Sequence, residues 1–282
     1  MTLAMAAFAV GDALVKLATD ALSSAQVILF MAIPATLAFA ALARRAGQPL
    51  VSAHFRHPAV MARTLIEALT AICMVNALSM APLAFVISVT QAVPLLVTIG
   101  AALMLGERVG PRRWFAVIAG LCGVLLMLRP GAEGLTLGAI LSVLTALGLA
   151  GRDIATRLAP ASTGTLQMAT WGMAGLIPAG LILFPITQPH GPLASGPLIT
   201  VLLATFATII GYYAITAAMR IGEVSVVTPF RYSRLVFSLF IAVLFLNERP
   251  DALTLLGAAI VIGSGLFVLW RERVLAQRAK SG

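Results

Sequence analysis

The sequence predicts an all-α membrane protein of ten transmembrane helices, arranged as two inverted repeats of five helices each. Three observations lead to this fold class. Sixty per cent of the 282 residues are apolar, only 10% are charged, and the mean hydropathy is +1.02. The apolar residues fall into ten runs, and the second half of the chain repeats polar positions of the first. Because a soluble domain carries about 25% charged residues, most of this surface is expected to face hydrocarbon.

Each apolar run has roughly the 20 residues that a helix needs to cross the hydrocarbon core. Clusters of proline, glycine or charged residues separate the runs, as at 44–49, 129–134 and 188–192. The weakest break is at Ala81-Pro82, where the proline cannot continue a hydrogen-bonded helix. In chain order, the predicted spans are 3–19, 24–43, 59–80, 83–106, 113–129, 135–157, 164–184, 194–218, 224–246 and 252–270.

The first apolar run is predicted to be a transmembrane span rather than a cleaved signal peptide. It lacks a basic leading segment and a small-residue cleavage site, and Asp12 and Lys16 interrupt it. Cys73 and Cys122 both fall in apolar runs and are expected to be buried as small hydrophobic residues, without a disulfide. No metal-ligand spacing occurs, so no metal or cofactor is predicted.

The net charge of +9 is best explained as an orientation signal. If both termini lie on one side, that side collects thirteen basic residues and the other side three, which places both termini in the cytoplasm of a bacterial-type inner membrane. Nucleic acid is therefore not an expected partner. The thirteen are Arg44, Arg45, Arg56, Arg63, Arg108, Arg112, Arg113, Arg157, Arg220, Arg271, Arg273, Arg278 and Lys280, and the three are Lys16, Arg129 and Arg249.

A shift of 141 residues reveals an internal duplication. Each half, 1–131 and 132–282, contains five spans, and an odd number of spans forces the two halves into opposite orientations. Inverted repeats are typical of secondary transporters, whose substrate site lies between the halves near the middle of the membrane. The shift superposes Asp12 on Asp153, Lys16 on Arg157, Gln26 on Gln167, and Glu107-Arg108 on Glu248-Arg249.

Several stretches of the sequence are similar to a known family. The segment LGERVGPRRWFAVIAGLCGVLLMLRPG at 105–131, the segment beginning GEVSVVTPFRYSRLVF at 222–269, and the shorter DALVK (12–16) and NALSMAPLAFV (76–86) resemble the EamA-type drug/metabolite transporter superfamily. The resemblance implies a ten-helix bundle with a central cavity lined mainly by spans 1, 3, 4, 6, 8 and 9. It also implies export of amino acids and other metabolites, or uptake of compounds such as riboflavin or S-adenosylmethionine. One departure is Asn247, where the first half has Gly106.

The intramembrane arginines are the main candidates for substrate binding. Arg231 and Arg234 lie near the middle of the ninth span and, three residues apart, share a face. Pro229 before them can open the helix, and Pro94 is a rough counterpart in the fourth span. A cationic wall of this kind would bind a carboxylate or phosphate; alternatively, the two arginines belong to a structural network with Asp153, Asp12 or Glu67. Arg152 has no counterpart in the first repeat, which makes it a further substrate-binding candidate.

Other ionisable residues are candidates for gating or coupling. Asp12 with Lys16, and Asp153 with Arg157, are spaced i, i+4 and are expected to neutralise each other, with a gate or latch as the alternative. Glu67 lies one turn beyond Arg63, so it either pairs with that arginine or carries a coupling proton. Among neutral residues, the candidates for substrate contact are Asn76, Gln91, Trp171 and Tyr212, with core packing as the alternative for each.

These features predict a secondary transporter of small metabolites that works by alternating access. An exporter of amino-acid-like or anionic compounds is the first hypothesis, and uptake of a cofactor-like metabolite is the alternative. An intramembrane enzyme is a remote alternative, because no HExxH or GxSxG motif occurs and the three histidines fall in predicted loops. A Walker A loop, which an ATP-driven pump requires, is also missing. Substrate identity, direction, proton coupling and oligomeric state stay open.

Overall fold

The computed structural model describes residues 1–107, 109–129, 136–187, 195–221 and 228–281, and the regular structure in these ranges is helical throughout. Short 3-10 turns lie at Ala53–Arg56 and Thr228–Tyr232. The helices are α1 (Thr2–Thr19), α2 (Ser24–Arg45), α3 (Pro58–Met80), α4 (Leu83–Thr90), α5 (Val93–Met104), α6 (Pro111–Leu128), α7 (Leu137–Leu158), α8 (Thr165–Leu183), α9 (Ser195–Ile221), α10 (Ser233–Phe245) and α11 (Ala252–Ser281).

The predicted class of helical membrane protein is confirmed. Nine spans in the described ranges are long and apolar enough to cross a membrane, with α4 and α5 together forming one of them. The ninth predicted span, 224–246, corresponds to the 3-10 turn at Thr228–Tyr232 followed by α10, and its first residues, 224–227, lie outside the described residues. Arg108 and the predicted loops at 130–134 and 188–192 also lie outside them.

Large apolar side chains cover the outer surface of the helix bundle. Leu103, Phe115, Ile182 and Phe245 are each exposed by 70–76%. In water such a surface would drive aggregation, whereas in a bilayer it meets lipid chains. Cys122 lies on the same kind of surface, so the expectation that both cysteines are buried is wrong for this one.

Four helix pairs dominate the packing of the bundle. α1 lies against α9, α3 against α7, α2 against α8, and α6 against α11. α1 also contacts α10, while α7 contacts α4 and α5. Because these contacts join helices from the two halves of the sequence, neither half forms a separate unit.

Glycines bring α6 and α11 into backbone contact. A Cβ atom on Gly123 would lie 2.8 Å from the carbonyl oxygen of Gly257, and one on Gly257 would lie 2.6 Å from the carbonyl oxygen of Gly123. Small residues allow such close approach in membranes, where packing rather than the hydrophobic effect drives helix association. Gly263 on α11, by contrast, faces open space, since a Cβ atom there would meet nothing within 4 Å.

Candidate functional site

A break in the fourth span lies against the 3-10 turn of the ninth span. The fourth span breaks between Thr90 and Val93, and Pro94 lies in the first turn of α5, where its missing N–H costs nothing. The ninth span begins as a 3-10 turn before α10. At the junction, the Gln91 side-chain amide donates a hydrogen bond of 3.2 Å to the backbone carbonyl of Tyr232, exactly 141 positions later. The two breaks therefore support each other.

An ion pair joins α1 to α10 beside this junction. The Arg234 guanidinium donates from Nε (3.0 Å) and Nη2 (2.7 Å) to Oδ2 of Asp12, and Nη2 also lies 2.9 Å from Oδ1. Two-pronged pairs of this type are the strongest that arginine forms with a carboxylate. The guanidinium carbon also lies 5.4 Å from the ring centroid of Phe8, which adds a cation–π contact.

A second ion-pair network joins α3 to α7. Arg63 Nη1 lies 2.8 Å from Glu67 Oε2, as the sequence predicted, and Arg152 lies 3.6 Å from the same carboxylate. Arg152 also binds Asp153 at 2.9 Å. Arg63 further donates to the hydroxyl of Thr156 at 3.0 Å. Because these side chains are largely removed from solvent, each charge depends on its partners.

Arg231 is within electrostatic range of both ion-pair systems. It interacts electrostatically with Asp153, Arg152 and Arg234. Tyr212 adjoins the same groups, within electrostatic range of Arg63 and Glu67, and its ring meets Phe39 edge-on at 4.9 Å. Four arginines thus face three carboxylates, for a formal charge of +1. We call the following seven residues the charged centre: Asp12, Arg63, Glu67, Arg152, Asp153, Arg231 and Arg234.

The expected i, i+4 pairs do not form. Asp12 binds Arg234 instead of Lys16, and Asp153 binds Arg152 instead of Arg157. For Asp12 the reason is geometric: the Arg234 fork on α10 reaches both carboxylate oxygens, whereas Lys16, one turn along the same helix, offers a single point charge. Asp153 is bound by its own neighbour in the chain, because Arg152 directs two N–H groups to one oxygen of that carboxylate. Lys16 and Arg157 are thereby free to reach the two ends of the bundle.

Two predicted substrate contacts lie outside the charged centre. The Asn76 amide donates to the carbonyl of Ile72 and its oxygen accepts from Ser24, which ties α3 to α2. Trp171 donates from its indole N–H to the carbonyl of Leu50 at 2.9 Å and packs edge-on against Phe55. Both side chains therefore have packing partners in the structure.

Matching turns precede the two glutamates that follow the fourth and ninth spans. Gly106 and Asn247 both have positive φ, +67° and +54°. The Glu107 N–H then donates to Ala101 O at 3.1 Å, and the Glu248 N–H to the equivalent carbonyl, six residues back, at 2.9 Å. Glycine and asparagine are the residues that tolerate this left-handed conformation, so the departure from glycine at 247 preserves the turn.

Replacing Asn247 tests this explanation. Asn247→Val is expected to lower the free energy of unfolding by about 1–2 kcal/mol, because a β-branched residue is strained at positive φ. Asn247→Gly is the matched control and is expected to leave stability unchanged. Melting temperatures of the detergent-purified proteins measure both effects, and equal stability of the two variants would contradict the turn's role.

The glutamate after the ninth span joins several segments at one end of the bundle. We call this end, with Glu248 and Lys16, the closed end. Glu248 accepts hydrogen bonds from the backbone N–H groups of Leu83 (2.7 Å) and Ala84 (3.1 Å), which are unsatisfied at the start of α4. Lys16 lies 3.8 Å from the same carboxylate. The lysine also donates to the carbonyl of Ala81 at 2.8 Å, beyond the last turn of α3. One carboxylate thus holds α1, the α3–α4 junction and the end of α10 together.

The corresponding pair at position 107 is formed but is much more exposed to solvent. Arg157 lies 3.5 Å from Glu107, and their side chains are 54% and 47% exposed. The Lys16 and Glu248 side chains are only 22% and 12% exposed. The sequence analysis superposed these two glutamates but predicted neither contact. The signal was present, because the two glutamates and the two basic residues share the offset of 141.

Two cavities adjoin these groups. One of about 160 Å³ lies between α1, α2, α3, α8 and α9 and includes Asp12 in its wall. The other, of about 530 Å³, lies at the closed end and is lined by Glu248, Arg249 and Asp251. Asp251 caps α11 through a 2.7 Å hydrogen bond from the Thr254 N–H, which holds the pKa of that carboxyl below its usual range.

Comparison with known proteins identifies the family. The sequence profile of the EamA-like transporter family matches residues 1–129 and 136–270, which is nearly the whole chain. The chain belongs to this family. The resemblance seen in the sequence is therefore confirmed, and the protein is a membrane-embedded transporter of small molecules rather than an enzyme.

Several relatives of this EamA-like transporter have been characterised. It is 30% identical over 234 residues to a riboflavin transporter of Rhizobium johnstonii, covering 81% of this chain and 75% of the relative. It is 27% identical over 263 residues to the pseudopaline exporter CntI of Pseudomonas aeruginosa, covering 92% and 91%. It is 26% identical over 198 residues to an S-adenosylmethionine uptake transporter of Rickettsia prowazekii, covering 70% and 66%. These relatives differ in substrate and in direction.

A solved crystal structure shares the fold of this EamA-like transporter. The superposition gives a TM-score of 0.64 at 19% sequence identity and covers 96% of this chain and 97% of the other. The match is nearly complete in both chains, so the likeness of fold extends over nearly all of this chain.

Proposed function

We propose that this protein is a secondary transporter that moves a small anionic or zwitterionic metabolite by alternating access between two inverted repeats, 1–131 and 132–282. The observation that carries the proposal is the crossed pairing of equivalent residues. Lys16 of the first repeat meets Glu248 of the second, and Arg157 of the second meets Glu107 of the first. Each pair spans the interface that must open and close during transport.

Further features recur at the offset of 141 and support the inverted repeat. The turns at Gly106 and Asn247 match, and Gln91 contacts its own equivalent, Tyr232. The Gln26 and Gln167 side chains both accept a hydrogen bond from the backbone N–H three residues earlier, at the start of α2 and of α8. The contact between α1 and α9 also has its counterpart in that between α7 and α3.

The different exposure of the two crossed pairs supports a mechanism with one end closed at a time. The end at Lys16 and Glu248 is held by hydrogen bonds to α3 and α4, whereas the end at Arg157 and Glu107 is joined by a half-exposed ion pair. With both termini in the cytoplasm, as we propose from the distribution of basic residues, the closed end faces the periplasm. We therefore assign this arrangement to an inward-facing state.

Weakening the closed end should expose the interior from the outside. Glu248→Gln removes the charge that binds Lys16 and the start of α4, worth roughly 1 kcal/mol. A cysteine at Leu78, introduced after Cys73 and Cys122 are replaced by alanine, reports on access because Leu78 is buried directly beneath this end. We expect an impermeant maleimide to label it about fivefold faster in intact cells, which is the ratio that 1 kcal/mol gives.

The matched variant is Glu107→Gln, at the equivalent position in the other repeat. It destabilises the state in which the end at Glu107 is closed and the end at Glu248 is open. The cysteine at Leu78 should therefore be labelled more slowly from outside. Alternating access predicts that the two variants change the labelling rate in opposite directions. General destabilisation would accelerate labelling in both. Labelling that changes in the same direction in both variants would remove the proposed gating role.

The charged centre favours a substrate that carries a negative group. The formal charge of the centre is +1, and Arg231 interacts electrostatically with both ion-pair systems, which favours binding of a carboxylate or phosphate there. Export is our first hypothesis, and the pseudopaline exporter, which matches over almost its whole length, favours it. Uptake of a cofactor-like metabolite is the second candidate, favoured by the relatives named for riboflavin and S-adenosylmethionine.

A thermal-shift screen tests the role of Arg231. The panel contains amino acids, organic acids, nucleotide-like cofactors and lipophilic cations, each at pH 6 and pH 8, because a ligand that binds only the folded protein raises its melting temperature. We expect anions or zwitterions to stabilise the protein and Arg231→Ala to weaken their binding about tenfold. Arg249→Ala, at an exposed arginine, is the control. Stabilisation by cations alone would contradict a cationic site.

A further inference from the structure

An apolar cavity lies directly beside the charged centre. Its volume is about 160 Å³, and five helices contribute to its wall. Asp12 is the one charged residue among the described residues that line it, and that carboxylate is already held by Arg234. The cavity and the charged centre thus share Asp12, so a molecule of modest size can occupy both.

The wall of this cavity is suited to an unsaturated group. Three methionines line it, each from a different helix: Met31 on α2, Met74 on α3 and Met173 on α8. Thioether sulfur is polarisable and makes favourable contacts with aromatic rings, typically about 0.3–1.5 kcal/mol each. Most of the remaining lining is aliphatic or small, including Ile28 and Leu176.

The two hydroxyls in the wall do not alter its apolar character. Thr205 and Thr208 both donate to backbone carbonyls one turn earlier in α9, at 2.9 Å. Their hydrogens are therefore committed within the helix, and they present methyl groups and weak acceptors to the cavity. A strongly polar guest would lose its hydration here without replacing its hydrogen bonds.

The size of the cavity indicates what fits. A protein cavity of about 150 Å³ lined by aliphatic and aromatic side chains binds benzene. We infer that this cavity receives a single flat, unsaturated six-membered ring of the transported metabolite, while the metabolite's charged group binds at the charged centre. The inference rests on the proposed transport function and specifies its substrate class as charged compounds bearing a ring.

The position of the cavity connects ring binding with the closed end. Val15 and Leu78 line it, and the Leu78 carbonyl accepts a 3.0 Å hydrogen bond from Lys16. A ring seated here lies immediately beneath the residues that Glu248 and Lys16 hold in place. One layer of side chains thus separates the bound substrate from the solvent at the closed end. An alternating-access site requires such a barrier.

Pairs of probes with the same charged group test the inference. The pairs are phenylalanine with alanine, phenylacetate with acetate, phenethylamine with ethylamine, and phenyl phosphate with methyl phosphate. Binding to the purified protein is measured by thermal shift. For the charged group that the centre accepts, the ring-bearing probe is expected to bind at least about tenfold more tightly, since burying a phenyl group contributes that much. Octanoate, with the same carbon number as phenylacetate, tests for a linear chain.

Two variants test whether the ring of the probe binds in this cavity. Ala71→Phe fills the cavity from α3 and is expected to abolish the advantage of the ring, whereas Ala62→Phe, on the exposed face of α3, should preserve it. Should Ala71→Phe not fold, Met74→Ala removes one thioether and should reduce the advantage severalfold while leaving the ringless probes unaffected.

Three results would overturn the inference. These are no ring advantage in any pair, an advantage that survives filling of the cavity, and preferential binding of octanoate, which would assign the cavity to a lipid chain. None of them bears on the transport function, which the labelling of the cysteine at Leu78 tests without any ligand. Failure of the ring site and failure of the transporter proposal are therefore distinguishable.

Discussion

Arg234→Ala is expected to lower the free energy of unfolding by about 3 kcal/mol, because it leaves the Asp12 carboxylate without a partner between α1 and α10. The guanidinium supplies three hydrogen bonds to that carboxylate, and none of them can be replaced by a methyl group. The measurement is the melting temperature of the detergent-purified protein. Arg157→Ala is the control, since its half-exposed pair with Glu107 is worth at most about 1 kcal/mol.

A double variant separates stability from function at this pair. Replacing both residues by leucine removes the charges together, and such apolar replacements of buried ion pairs are often neutral or stabilising. We therefore expect the Asp12→Leu/Arg234→Leu protein to regain stability while losing ligand-dependent stabilisation. A single Arg234→Ala protein as stable as the Arg157→Ala control would show that the ion pair does not hold the two helices together.

Gly257→Ala is expected to destabilise the protein by about 2 kcal/mol, because the added methyl group meets the backbone of α6. The new Cβ would lie 2.6 Å from the carbonyl oxygen of Gly123 and 2.5 Å from the side chain of Met127. The methionine can move, but the carbonyl cannot move without separating the helices. Alanine in place of glycine within a helix usually stabilises a protein by about 0.5–1 kcal/mol, at any helical site. The clash at Gly257 must exceed this gain.

Gly263→Ala provides the control on the same helix. A Cβ at this position meets nothing within 4 Å, so the substitution is expected to be neutral or stabilising by up to about 1 kcal/mol. Both variants are compared by thermal unfolding in the same detergent. If the two alanines have equal effects, then α6 and α11 do not pack through their glycines.

The membrane class, the approximate spans and the offset of 141 could be read from the sequence, because each depends on local properties. A run of about 20 apolar residues is sufficient to predict a span. Polar residues in such runs are few, so those that recur at a fixed spacing stand out, as Lys16 and Arg157 do. The pairing of Arg63 with Glu67 was also predictable, since one helical turn separates them.

The partners of the remaining charges could not be read from the sequence. Asp12 has a basic residue one turn away, yet it binds Arg234, which is 222 positions distant. Local spacing cannot rank these partners, because the choice depends on which helix packs alongside and on how the guanidinium fork is presented. The same holds for Trp171, whose indole N–H is taken by the carbonyl of Leu50 in a loop far away in the chain.

By itself, the sequence determined the class of the protein, its family resemblance and the repeated positions of Glu107 and Glu248. Only the tertiary structure decided that Glu248 caps α4 and seals one end, while Glu107 stays exposed with Arg157 at the other. The physical reason is that residues at equivalent positions in the sequence can have different neighbours in space. Exposure and hydrogen bonding depend on which helices pack beside each residue, and no local pattern encodes that packing.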